Sequence, residues 1–134
     1  MINTKLTRKA MIIAYEAHKN QVDKSGVPYI YHPIHVAEQM DTENECIIAL
    51  LHDVVEDTNV TFKQLEEVFS KEIIDILKLL TREENIEYDE YIKRIKNNSI
   101  ACKVKIADLT HNLDKTRLDF VTEVDVCLLY TSDA

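Results

Sequence analysis

The residues of this chain that could do chemistry fall in three short polar islands set among apolar residues. The first is His52-Asp53, which follows Ile47-Ile48-Ala49-Leu50-Leu51, precedes Val54-Val55 and is continued by Glu56 and Asp57. Burying an ionisable group without a partner is expensive, so such residues inside an apolar helix point to a shared task. Five His and eleven Asp among 134 residues predict about 0.4 His-Asp pairs by chance, which makes the dipeptide weak on its own. Requiring Glu56 and Asp57 as well lowers that expectation to about 0.003, and the extended pattern becomes informative. Helical spacing sets Glu56 near both His52 and Asp53, with Asp57 one turn beyond Asp53. Three carboxylates and an imidazole on one buried face must raise a pKa or unfold the turn, unless a divalent cation joins them.

The second island is KIADLTHN, in which Lys105, Asp108, His111 and Asn112 share one helix face. The third, YIYHPIHVAEQM, puts His32 at a helix start. Imidazole and carboxylate donors from three helices suit manganese, iron or zinc better than calcium, which prefers oxygen throughout. Each island also has a plainer reading when taken alone. His32 suits a helix cap, His52-Asp53 a satisfied core pair, and Asp108 a cap or an ion pair with Lys105. His18 reads as an ordinary core or surface histidine, His35 as a partly exposed one, and Glu83-Glu84 as a solvated turn. Their joint occurrence, in order, favours a site.

The elements that must position these residues are helices. A single Gly and two Pro leave few turn signals for many short strands. Asn3 or Thr4 caps a helix over about residues 5–20, with Leu6, Ala10, Ile13 or Ala14 and Ala17 on its apolar face. QVDKSGVPYIY interrupts the pattern as an irregular loop. Pro33 then opens a short helix to about Met40. A third helix over about Thr42–Glu56 is apolar on most sides and expected to be central. Thr61 and Gln64 form a capping box for a fourth helix, and Ile73, Ile74, Ile76, Leu77 and Leu80 build a fifth. The last two run over Tyr88–Lys96 and about Ile100–Leu113, divided at Asn97-Asn98-Ser99.

With 46% hydrophobic and 30% charged residues the chain reads as one soluble all-α domain, a single compact helical bundle. A net charge of −8 without a basic block argues against nucleic acid and anionic membranes as partners. Cys46, Cys102 and Cys127 suggest neither a disulfide framework nor a thiolate metal site. With no export signal or long apolar run, a cytoplasmic location is expected. The run VTEVDVCLLYTSDA lacks an amphipathic period, so residues 121–134 are expected to be a tail that is non-native or truncated.

The series DKSGVPYIYHPIHVA, ALLHDVVEDT and KIADLTHN resembles the HD-type hydrolase domain of RelA/SpoT homologues and the stand-alone small alarmone hydrolases, over roughly residues 5–118. That resemblance implies an α-helical domain over residues 1–120 that holds one manganese ion and removes the 3′-pyrophosphate from the alarmones (p)ppGpp. By position it implies His32, His52, Asp53 and Asp108 as metal ligands and Glu56 and Asp57 as the catalytic acidic pair. Lys24, Ser25 and Asn112 are implied as nucleotide contacts. The family's synthetase domain is not expected here.

Two departures bear on the substrate. The family's Arg-Lys-Ser-Gly loop stands here as Asp23-Lys24-Ser25-Gly26, and a carboxylate cannot supply the cationic stack on guanine. The family's Asp-Arg-Leu-His-Asn stands as Asp108-Leu109-Thr110-His111-Asn112, which removes another cation. Another nucleotide substrate, such as NADPH, and a non-catalytic nucleotide-binding module are therefore kept as alternatives.

Overall fold

The computed structural model describes residues 1–113; the expected 121–134 tail, Cys127 and the boundary at residue 120 lie outside the described residues. Among the described residues eight helices follow one another: α1 (Lys5–Ala17), α2 (Tyr31–Glu38), α3 (Glu43–Leu51), α4 (Val54–Asp57), α5 (Phe62–Glu66), α6 (Lys71–Leu80), α7 (Tyr88–Lys96) and α8 (Ser99–Leu113). Among the described residues no strand forms, as expected of an all-α chain. No described helix is long and apolar enough to cross a membrane.

Capping chemistry sets most of the boundaries. Thr4, Thr42, Thr61 and Ser70 each accept a hydrogen bond from a first-turn N–H of α1, α3, α5 and α6, and Thr61 with Gln64 makes the expected box. Asn97 closes α7, and the Asn98 side chain accepts from the Ala101 N–H at the start of α8. Around α3 pack α1, α2, α6 and α8. All of Cys46–Leu51 is buried, and each fully buried Ile or Leu there contributes about 1.5–3 kcal/mol. Ile73, Ile74, Ile76, Leu77 and Leu80 of α6 close the core from the other side.

Three expectations need correction. The third helix does not run to Glu56: it stops at Leu51, a turn at His52-Asp53 follows, and α4 resumes at Val54. At the break the His52 Nδ1 lies 2.6 Å from the Ala49 carbonyl and competes for the acceptor that the Asp53 N–H would use in an unbroken helix. Helix α2 starts at Tyr31, two residues before Pro33, because the Tyr31 and His32 N–H groups already turn back onto the Pro28 and Tyr29 carbonyls. Proline is tolerated there since first-turn N–H groups have no intrahelical partner. Finally, Leu6 is exposed, and Thr7 takes its place on the buried face of α1 beside Ala10 and Ala14.

Candidate metal centre

Histidines and aspartates from three segments meet at one point beneath the loop 21–30. His32 sits in the first turn of α2 and is buried, and its Nε2 lies 2.6 Å from Asp108 Oδ1 on α8. Its other nitrogen, Nδ1, lies 2.7 Å from Nδ1 of His111. The two histidine rings stack with centroids 4.9 Å apart, and exposed His35 stacks on the outer face of His111. His52, at the break after α3, turns Nε2 to within 3.0 Å of Asp53 Oδ2 and 3.4 Å of Asp108 Oδ1. One donor atom from each of His32, His52, Asp53 and Asp108 falls within 4.8 Å of the others.

The donor chemistry fits a divalent ion. His52 Nδ1–H is committed to the Ala49 carbonyl, which leaves Nε2 to carry either a proton or a lone pair for a cation. That Nε2 is buried and makes no hydrogen bond of good geometry despite two carboxylates beside it. Two imidazole nitrogens and two carboxylates, with no thiolate, suit a borderline or hard ion. Burial works to lower the His52 pKa, but the Asp53 and Asp108 carboxylates reverse that and hold it well above the ordinary histidine value. Burial would raise both aspartates; His52 pulls Asp53 below its usual range, and His32 with His52 pulls Asp108 well below it.

Asp53 also belongs to a second group, in which it, Glu56 and Asp57 bring carboxylate oxygens within 4.8 Å of one another. Glu56 and Asp57 are exposed, so the expected single buried face of three carboxylates is not what forms. The helix break swings α4 outward and leaves Asp53 as the joint between the cage and the acidic pair. Partial burial, then neighbouring carboxylates, raise the pKa of Asp57; Glu56 is raised likewise, with the Arg82 N–H opposing. That N–H donates to Glu56 Oε1 at 3.2 Å and fixes the carboxylate from the α6–α7 connection.

The sequence-expected nucleotide contacts divide. Asn112 Nδ2 lies 3.4 Å from Asp108 Oδ1, at the cluster. Lys24 and Ser25 stand apart from it, exposed on the loop. Asp23 organises that loop: its Oδ1 accepts from the Ser25 and Val27 N–H groups at 2.8 and 3.0 Å, and Gly26 supplies the left-handed turn at φ +82°. Each flank of the loop reaches the site. Gln21 Nε2 donates to the Asp57 carbonyl at 3.0 Å, and the Tyr29 hydroxyl donates to Asp53 Oδ2. Burial, reinforced by Asp53, keeps the Tyr29 phenol far above its ordinary pKa, so it stays a donor.

Tyr29 and Gln21 are the site residues to which the sequence assigned no role, whereas the expected ion pair of Lys105 with Asp108 forms. Lys105 Nζ lies 3.4 Å from Asp108 Oδ2 and 5.3 Å from the centroid of the Tyr91 ring. Burial works against its charge, but Tyr91 and Asp108 outweigh that and raise its pKa above the usual lysine value. His18, expected as an ordinary core or surface histidine, is a buried ring under the loop, with Nδ1 3.0 Å from Gln21 Oε1.

Comparison with known proteins gives this geometry a context. The profile of a family described as HD domain matches residues 10–117. The bifunctional (p)ppGpp synthase/hydrolase SpoT of Escherichia coli is 31% identical over 124 residues, which cover 81% of this chain and 18% of that protein. The guanosine-3′,5′-bis(diphosphate) 3′-pyrophosphohydrolase MESH1 of Danio rerio is 35% identical over 124 residues, covering 83% of this chain and 69% of that protein. This chain thus spans under a fifth of its bacterial relatives, at 18%, and about two thirds of the fish one, at 69%. A solved metazoan ortholog of SpoT, reported to hydrolyze ppGpp and to play a role in starvation responses, superposes with a TM-score of 0.76. It covers 99% of this chain and 86% of its own at 23% identity, which carries the fold.

Proposed function

The chain belongs to the HD-domain family, among the RelA/SpoT homologues, and on that premise we propose that it is a metal-dependent hydrolase of the guanosine alarmones (p)ppGpp. Water cleaves the 3′-pyrophosphate ester and GDP or GTP and pyrophosphate leave. The observation that carries the reading is the convergence of His32, His52, Asp53 and Asp108, joined through Asp53 to Glu56 and Asp57. We assign the first four as ligands of one divalent ion, manganese by the resemblance. An ion there supplies a Lewis acid for a phosphoryl oxygen and an acidified water.

The chain's own residues do the rest. Glu56, held by the Arg82 N–H, orients the attacking water and takes its proton, and burial with the neighbouring carboxylates raises its pKa, which makes it a stronger base than a free glutamate. Asp57 assists. Lys24 and Ser25 on the loop, and Asn112 beside Asp108, contact the phosphates and sugar. The net charge of −8 is no obstacle, because a bound ion is the largest local charge in such a site. We assign residues 1–120 to this domain and a reducing cytoplasm to the chain, where the buried thiols of Cys46 and Cys102, in no disulfide, are at home.

Asp23 favours a second reading, in which another nucleotide such as NADPH is the substrate, because no cation stands there to stack on guanine. A non-catalytic nucleotide-binding module is disfavoured, since it has no use for buried charge beside an acidic pair. The deciding experiment is a manganese-supplemented turnover screen over ppGpp, pppGpp, NADPH and ordinary nucleotides with products identified. The alarmone reading expects pyrophosphate and GDP from ppGpp; efficient turnover of NADPH with ppGpp untouched overturns it.

Two substitutions sharpen the reading. Asp23→Asn keeps the Oδ1 acceptor that ties down Ser25 and Val27 but removes a negative charge near the phosphates. KM for ppGpp is expected to fall about two- to fivefold with kcat unchanged, the size of one exposed charge interaction. A KM that does not move puts the phosphates away from this loop. Tyr29→Phe removes the donor that orients Asp53 and is expected to weaken manganese binding about 10–100-fold, as loss of an outer-shell partner does. Wild-type affinity by calorimetry would deny Tyr29 that role.

A further inference from the structure

Lys105 is a cation where a metal site alone would not want one. Its Nζ stands 3.4 Å from the Asp108 carboxylate, and its side chain is 15% exposed. A positive charge at that range opposes the entry of a divalent ion and costs desolvation as well. A site whose only task was to hold the ion would be tighter with an apolar residue there. The cost is recovered when the occupant that follows the ion is an anion. Asp53, Glu56, Asp57 and Asp108 carry more negative charge than one divalent ion can neutralise, and a phosphate must still enter. Lys105 removes one unit of that excess.

Among the described residues, the other cations near the site are committed elsewhere or lie on the surface. The Arg82 guanidinium lies over the Tyr88 ring at 5.3 Å and donates from Nε to the Ile86 carbonyl. Lys24 is exposed on its loop. An ammonium has three protons. Among the described residues one of those on Lys105 goes to Asp108 Oδ2 at 3.4 Å, and the ammonium lies 5.3 Å from the centroid of the Tyr91 ring.

We propose that Lys105 is an anion-binding residue of this site, whose ammonium takes a non-bridging oxygen of the phosphate or pyrophosphate group seated over the four-ligand cage. The inference rests on the phosphohydrolase reading but not on guanine or on turnover of ppGpp. Its probe is inorganic pyrophosphate, titrated by calorimetry into the manganese-loaded full chain. Lys105→Met, close in shape and uncharged, is expected to bind pyrophosphate more than about tenfold more weakly, the loss of one charge-assisted hydrogen bond. Manganese affinity is expected to hold or to tighten, because a repelling charge has gone. Lys105→Arg recovers most of the pyrophosphate affinity, and Lys105→Gln behaves as Met does.

Unchanged pyrophosphate binding in Lys105→Met overturns the proposal. Loss of manganese in that variant also overturns it, since Lys105 then acts only by holding Asp108. Lys105-dependent pyrophosphate binding in a protein that leaves ppGpp intact supports the proposal while overturning the alarmone substrate.

Discussion

Glu56→Gln is expected to lower kcat by about 10²–10⁴ while metal content stays at the wild-type level. The substitution is nearly isosteric and retains the Oε1 acceptor for the Arg82 N–H, so α4 keeps its anchor to the α6–α7 connection. What is lost is the carboxylate's capacity to accept a proton. Because burial, then Asp57 and Asp53, raise the Glu56 pKa against the pull of the Arg82 N–H, the acid limb of the wild-type kcat/KM profile is expected above the ordinary glutamate range. The variant should lose that limb along with the rate. Elemental analysis beside steady-state kinetics separates the outcomes: depleted metal would make Glu56 a ligand, and near-normal turnover would remove it from the mechanism.

The same residue shows how far the sequence could be read. Glu56 and Asp57 were legible because charge so close to an apolar helix needs a reason. Their placement on an outward-turned helix was not. At the break that turns them out His52 Nδ1 competes with the Asp53 N–H for the Ala49 carbonyl, and helical periodicity contains no such side-chain competitor. The convergence of His32 with Asp108, 76 residues apart, is likewise invisible to spacing. Sequence puts each on a helix, and packing of α2 and α8 against α3 brings them together.

Other residues have roles that only their local surroundings show. Asp23 stands as a charge in place of an arginine, and its carboxylate is also the acceptor that shapes the loop, a role the Asp-x-Ser-Gly turn chemistry suggests. Tyr29 went unmarked because a buried tyrosine beside a loop is ordinary, and its partner Asp53 lies 24 residues on. Where function overrides propensity, single-sequence reasoning is expected to fail, and here the failures gather around the cage.

The cage itself yields the other large effect. A metal that binds only the folded chain stabilises it by about 2.7 kcal/mol at a free concentration 100 times its Kd, which for a domain of this size is a rise of about 10 °C in Tm. Asp53→Ala is expected to abolish that increment and the hydrolysis with it. The quantity to compare is the increment, not the absolute Tm, because Asp53→Ala also strands the Tyr29 hydroxyl and lowers the metal-free baseline. The pH dependence has a definite sign. With burial outweighed by Asp53 and Asp108, the His52 pKa stands above its unfolded value, so its stabilising proton is fully present below about pH 6.5 and is lost as pH rises through the folded value. The ion must displace that proton, so the manganese increment should be larger near about pH 8 than near about pH 6 in the wild type. In Asp53→Ala it should be absent at both. An increment that survives in Asp53→Ala and in His52→Ala would place the ion elsewhere and take the proposed ligand set with it.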